Sequence, residues 1–338
     1  MKKSDGFITI MVLAIMSIIM VSSLYLMHMY TLEFMIVTST VNSIQSYYFS
    51  EGKVYTILNK NEYLNSIMPS IKQFVKDIYI KIIKGINIFL DVEDLFEGDT
   101  NNVVSASIYH DYDGRIILEV KIKSTFKNIT REVISKITVV NDLFELGNPL
   151  VSDELLSDEN RNMFNDYMSF LKSNVEIQEL DSGIYGTDLK DYEKIRLIKD
   201  SNAYSIECYR NEIEHPVRIE NFTTDKVFLI IRKNILTPEV LIVDLNPSGN
   251  YKLEGIIYIE GDLVICNDFE LNGILIVNGS INIIPSANMN VNGVVLYKGE
   301  ENIENERLHL QYDFSKIRKY GIYLPKFIDL KIRNIKSN

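Results

Sequence analysis

Few residues in this chain have the types and spacing that chemistry requires. The two cysteines, Cys208 and Cys266, could join as a single disulfide in an oxidising compartment, but two do not make a disulfide framework. Cys266 ends the apolar run Leu263, Val264, Ile265, where a buried thiol behaves as a small hydrophobe. The four histidines, His28, His110, His215 and His309, are scattered without the spacing of a metal site. The tract from Asp91 to Asn102 offers carboxylate and amide oxygens, but their irregular order does not match a calcium loop, and it reads as a solvated loop. A Ser-His-Asp arrangement, a Cys-His pair and a phosphate-cradling Gly-Lys-Ser/Thr loop are all missing. The sequence therefore predicts no enzyme, cofactor or metal.

The bond that stands out is Gly6–Phe7. It separates a short leader, with Lys2, Lys3, Ser4 and Asp5, from an apolar run that meets no Asp, Glu, Lys or Arg until Glu33. About 20 apolar residues cross a bilayer as a helix, and the stretch from Phe7 to Leu26 supplies them. Neither Pro nor Gly occurs from Phe7 to Ser50, so nothing in the backbone stops a helix there. A secretory signal fits poorly, because the run is too long and lacks a small-x-small cleavage site. Lys2 and Lys3 hold the leader on the cytoplasmic side, which predicts one span with the bulk of the chain outside the cell.

The sequence Lys2 to Gly6 followed by Phe7, Ile8, Thr9 and Ile10 resembles the processing site of type IV prepilins. The resemblance implies that prepilin peptidase cuts after Gly6 and methylates Phe7, and that the helix then meets other pilins and membrane lipid. One departure matters. Most major pilins carry glutamate at the fifth residue after the cut, to pair with a neighbour's amino terminus; here that residue is Met11. A carboxylate in lipid is costly unless paired, so its absence eases membrane insertion and counts against self-polymerisation. Tyr30, Thr31, Leu32 and Glu33, with the later stretch from Gln45 to Glu51 and Gly52, resemble minor pilins of the PilX type. Residues 7–60 then form one long helix, whose upper stripe of Tyr48, Phe49, Val54, Tyr55 and Leu58 packs on the following domain.

At 338 residues the chain can hold two domains. Its net charge of −11 argues against nucleic acid as a partner. After Pro69, the residues Ile71, Phe74, Val75, Ile78, Ile82 and Ile83 trace one face of a second helix reaching Phe89. From Val103 the period becomes two: Asp113–Gly114 is a tight-turn signal between two strands, and a third runs from Arg131 to Val140. Residues 141–226 are hardest to read, apart from an amphipathic helix with an acidic start around Met163 to Leu171.

A repeat follows. Glycines bracket five residues at Gly255 and Gly261, Gly273 and Gly279, and Gly293 and Gly299, with starts 18 and 20 residues apart. Periods near 20 with short intervening strands predict a small stacked coil in which glycines turn the corners. Its outward residues Tyr258, Glu260, Asn278 and Lys298 do not read as a converging set.

The expected fold is α+β: a long N-terminal membrane-spanning pilin helix, an antiparallel sheet and a small C-terminal right-handed β-helix. The expected layout is 1–6 leader, 7–60 helix, 61–145 helix plus β-meander, 146–226 insertion or linker, 227–300 β-helix and 301–338 cap or tail. The expected role is a non-enzymatic minor pilin or pseudopilin subunit of a type IV pilus or related secretion filament. It would prime assembly or display the β-helix at the tip for adhesion to a surface or carbohydrate ligand. The alternative is a membrane-anchored surface binding protein that never enters a filament. The residues assigned to assembly are Gly6 and Phe7 for processing and Met11, Glu33 and Glu51 along the helix.

Overall fold

The computed structural model describes residues 4–96, 98–200, 203–210, 214–233, 240–243, 251–299 and 306–337. Lys2 and Lys3 lie outside the described residues. The chain opens on α1 (Ser4–Asn59). Gly52 sits within it because a Cβ there would stand 2.7 Å from the ring of Phe96, which stacks on Phe49 at a centroid distance of 4.4 Å. The extended backbone of Lys60 ends α1 and begins α2 (Asn61–Lys76), which buries Tyr63, Ile67, Ile71, Phe74 and Val75. That spacing keeps one stripe toward the core.

The expected helix from Ile71 to Phe89 is thus corrected at both ends. The apolar face starts earlier, at Tyr63, and the second half is a strand, β1 (Ile82–Phe89). Its isoleucines suit a pleated surface, and the register shift between Ile83 and Ile86 accommodates Gly85 as a bulge. β2 (Val103–His110), β3 (Ile116–Phe126) and β4 (Ile129–Val140) follow as the antiparallel meander expected from the sequence.

The next elements are β5 (Leu150–Ser152), α3 (Asp158–Asn174), β6 (Tyr185–Lys190), β7 (Lys194–Asp200), β8 (Ala203–Tyr209) and β9 (Arg218–Phe222). Then come β10 (Lys226–Arg232), β11 (Val240–Val243), β12 (Tyr251–Ile259), β13 (Asp262–Ile265), β14 (Phe269–Val277), β15 (Ile281–Ile283) and β16 (Met289–Tyr297). The chain finishes with β17 (Leu308–Gln311), α4 (Phe314–Gly321) and β18 (Ile328–Ser337).

Three sheets result, and none closes on itself. The antiparallel one has the order β1-β2-β3-β4-β18. The second is parallel, in the order β17-β16-β14-β12-β10-β6 with β5 beside β16. The third runs β15-β13-β11-β7-β8-β9, parallel except where β8 and β9 fold back as antiparallel strands. Successive strands alternate between the second and third sheets, as in β12 to β13 and β14 to β15. Val227, Gly255, Gly273 and Gly293 stand side by side in register.

Two boundaries move. The parallel stack begins at β6 and not at residue 227, because Tyr185 to Lys190 pairs with β10 although it lacks bracketing glycines. The tail is more than a cap: β17 extends the stack, but β18 returns to pair with β4 in the antiparallel sheet. Cys208 is buried in β8, Cys266 is half-buried, and among the described residues they form no disulfide. Cys266 is therefore more exposed than its apolar neighbours suggest.

The central strands of the second sheet, β10, β12, β14 and β16, are buried on both faces along most of their length, which explains their near-continuous Ile, Leu and Val content. Leu253, Ile257, Leu271, Leu275 and Val295 face the third sheet. Ile256, Tyr258, Ile274, Ile276 and Leu296 face a second core shared with Phe164, Ile317, Tyr320 and the antiparallel sheet.

Candidate assembly helix

The N-terminal half of α1 is uncovered. Every residue from Phe7 to Val37 is exposed, a projection of about 46 Å at 1.5 Å per residue. Among the described residues α1 is the one helix long and apolar enough to cross a membrane. Phe7 and Met11 are 68% and 56% exposed, and Glu33 lies exposed further along. Gly6 is helical, so the Gly6–Phe7 bond continues α1. Glu51 is half-buried where the helix meets the rest of the chain.

The buried face of the upper helix adds polar groups to the expected apolar stripe, of which Val54 is buried and Phe49 and Leu58 are half-buried. Asn42, Ser46, Ser50 and Lys53 are buried together with Val54 and Ile57, whereas Tyr48 and Tyr55 are exposed. Small hydroxyls let the helix backbone approach the sheet closely. Ser46 Oγ donates to Ser124 O at 2.6 Å, and Ser50 Oγ donates to Ser46 O at 3.2 Å.

Lys53 is the central group. Its Nζ donates to Asn101 O at 2.6 Å and to Lys123 O at 3.0 Å, and lies 2.7 Å from Asp99 Oδ2; neither charged side chain is exposed. Two carbonyl acceptors and the adjoining carboxylate surround the ammonium, so the buried charge is both hydrogen-bonded and paired. Asp99 also accepts from the backbone and side-chain amides of Asn101 at 3.0 and 3.1 Å. Burial raises its carboxyl, but the Lys53 ammonium and the Asn101 amides outweigh that and hold it below the usual carboxylate range. Asp94 in the same tract takes hydrogen bonds from Lys60 and Tyr63. The solvated loop expected from Asp91 to Asn102 is corrected accordingly: Asp99 clasps α1, and Asp94 holds Lys60 at the junction of the two helices and Tyr63 of α2. Hydropathy cannot reveal this, since a buried Lys-Asp pair reads as surface; its one sequence signal is the lysine on the buried helical face.

The bracketing glycines divide into two sets. Gly261 and Gly279 stand between strands of different sheets, and Gly299 follows β16. Gly255, Gly273 and Gly293 lie inside continuously paired strands, not at junctions, with φ of +136°, +151° and +154°. A Cβ on Gly273 would stand 2.0 Å from Gly255 O, so side chains are excluded there sterically as well as conformationally.

The outward residues do converge. Glu260, Asn278 and Lys298 directly follow the paired residues Ile259, Val277 and Tyr297, and line one cleft with residues of α3. Tyr258, buried beneath them, donates to Glu260 Oε1 at 3.0 Å and accepts from Asn278 Nδ2 at 3.3 Å.

No protein-family model and no curated protein matches the sequence. Among solved structures, the competence-associated pilin ComZ from Thermus thermophilus aligns over 88% of this chain and 98% of its own, at 8% identity and a TM-score of 0.23. Overlap of that order does not establish a shared fold.

Proposed function

We propose that this chain is a non-enzymatic minor pilin or pseudopilin, anchored by α1 in the cell membrane, that primes assembly of a type IV pilus or related filament or displays its C-terminal half at the tip. The observation that carries the reading is α1 itself: one helix, wholly uncovered from Phe7 to Val37 and clasped by the globular part from Asn42 onward. An apolar helix of that length needs lipid or like helices around it, and other pilins supply the latter. Gly6–Phe7 at its start is the bond for prepilin peptidase, and Met11 in place of the assembly glutamate favours a minor subunit. We also read the parallel stack as a short right-handed β-helix. Its support is the in-register ladder of Val227, Gly255, Gly273 and Gly293 and the alternation of strands between two sheets.

The test is the mature N-terminus of the membrane-extracted protein by mass spectrometry. A chain beginning at N-methylated Phe7 is expected. Retention of Met1 to Gly6 would remove the filament reading and leave the alternative, a stand-alone anchored surface binding protein.

A further inference from the structure

A cleft on the globular part lies between α3 and the second sheet, with a volume of about 670 Å³. Met168, Ser169 and Lys172 of α3 form one wall; Lys233, Glu260, Asn278 and Lys298 form the other. The second wall is built by the repeat. Ile231, Ile259, Val277 and Tyr297 are paired neighbours, so the residues just beyond them are spaced by about 4.8 Å per strand. From the strand carrying Arg232 and Lys233 to that of Lys298, the cleft spans about 14 Å.

Its chemistry is mixed in a defined way. Lys172, Lys233 and Lys298 are exposed, and among the described residues none forms an ion pair. That local excess of positive charge contrasts with a chain of net charge −11. Glu260 is 9% exposed and fixed in place: Tyr258 donates to Oε1, and the backbone N–H of Lys233 donates to Oε2 at 3.1 Å. Burial and the adjoining Glu260 carboxylate raise the Tyr258 phenol, so it keeps the proton it donates. Each Glu260 oxygen retains acceptor capacity toward the cleft. Asn278 offers an amide and Ser169 a hydroxyl beside it.

From this arrangement we infer that the cleft binds a short stretch of a carboxylated polysaccharide, about three sugar units laid across successive strands. The lysine ammonium groups take the sugar carboxylates, and Glu260 and Asn278 take ring hydroxyls. A DNA backbone carries a similar charge per unit but lacks the ring hydroxyls that Glu260 and Asn278 would take, which disfavours it at the same place. The inference deepens the display role proposed above, but it rests on the cleft alone. N-terminal mass spectrometry tests the filament reading separately, so failure of one is distinguishable from failure of the other.

The test is calorimetric titration of the detergent-solubilised full chain with trimers of galacturonate and of guluronate. Their methyl esters and a short single-stranded oligonucleotide serve as comparisons. At least one acidic trimer is expected to bind and its ester to bind at least tenfold more weakly. Lys298→Gln, an exposed substitution that leaves the core intact, is expected to weaken that trimer about tenfold. Glu260→Gln should narrow the preference for the trimer over the oligonucleotide. No binding of either acidic trimer at about 1 mM, equal binding of acid and ester, or tighter binding of the oligonucleotide by the unaltered chain would overturn the inference.

Discussion

Replacing Lys53 by methionine removes the ammonium while keeping the length of the side chain. What remains is a carboxylate at Asp99, fully buried and held by the Asn101 amides without its cation. Breaking a buried pair by deleting one partner costs about 3–5 kcal/mol, because the surviving charge is uncompensated. Two backbone carbonyls, Asn101 O and Lys123 O, lose their donor as well. The expected loss for Lys53→Met is therefore about 4 kcal/mol, a large part of the total stability of an ordinary domain. Asp99→Asn should cost somewhat less, since its amide still faces Lys53 but no longer neutralises it. The double variant Lys53→Met with Asp99→Leu should recover most of the loss, because a buried ion pair and an apolar pair of similar volume are often nearly equal.

Urea unfolding of the detergent-solubilised protein measures all three, with tyrosine emission as the signal in a chain of 20 Tyr and no Trp. The pH dependence supplies an independent check. Asp99 titrates below its unfolded value, so its contribution is present above about pH 4 and is lost as the pH falls through the lower, folded value. Asp99→Asn should flatten that acid limb. A loss under about 1 kcal/mol for Lys53→Met, or a double variant no more stable than the single one, would refute the clasp.

Two further outcomes follow from the same geometry. Gly273→Ala should destabilise the stack by about 3 kcal/mol or more, since its Cβ would meet Gly255 O at 2.0 Å, whereas Gly85→Ala, with nothing within 4 Å, should cost only about 1 kcal/mol in the same thermal melt. Glu145, 3% exposed with Arg115 Nε no nearer than 4.0 Å, has its carboxyl pushed up to about 7 by burial, so the protein should lose stability as the pH rises from about 4.5 toward 7. Glu145→Gln should remove that slope in urea titrations and be more stable than the unaltered chain by about 3 kcal/mol at pH 8, with little difference at pH 4.

The features legible in the sequence are those carried by strong local signals. The uninterrupted run from Phe7, the Asp113–Gly114 turn and the glycine brackets each constrain the backbone directly, and each marks a real element. The misread features depend on partners distant in sequence. Ile71 to Phe89 looks helical because six apolar residues happen to suit that period, but Ile82 to Phe89 is claimed by pairing with β2. Ser46, Ser50 and Lys53 look like a wet face until Ser124, Asn101, Lys123 and Asp99 arrive from the sheet and its loop. The cleft lies between these two classes. Glu260, Asn278 and Lys298 each precede the closing glycine of a bracket, and that shared position is the sequence sign that stacking brings them together.

The return of β18 to β4 decides how the two halves of the chain behave mechanically. A C-terminal stack joined by one linker would swing on it, and force on α1 would reach the cleft only through that linker. Here the connection is made several times. Lys53 and Ser46 fasten α1 to the antiparallel sheet, and β18 pairs with β4 from the opposite end of the chain. Between the sheets, Tyr320 of α4 donates to Glu254 of β12 at 2.6 Å, and Arg318 of α4 donates to Val75 O of α2 at 3.1 Å. The shared core then places Tyr258 and Ile276 of the stack against the same interior as Phe144 and Ile137 of the other half. Separating the halves would expose that core and strip partners from buried polar groups at once, so they should unfold as one cooperative unit. The cleft lined by Glu260, Asn278 and Lys298 is consequently joined to α1 through a continuous series of packed and hydrogen-bonded elements.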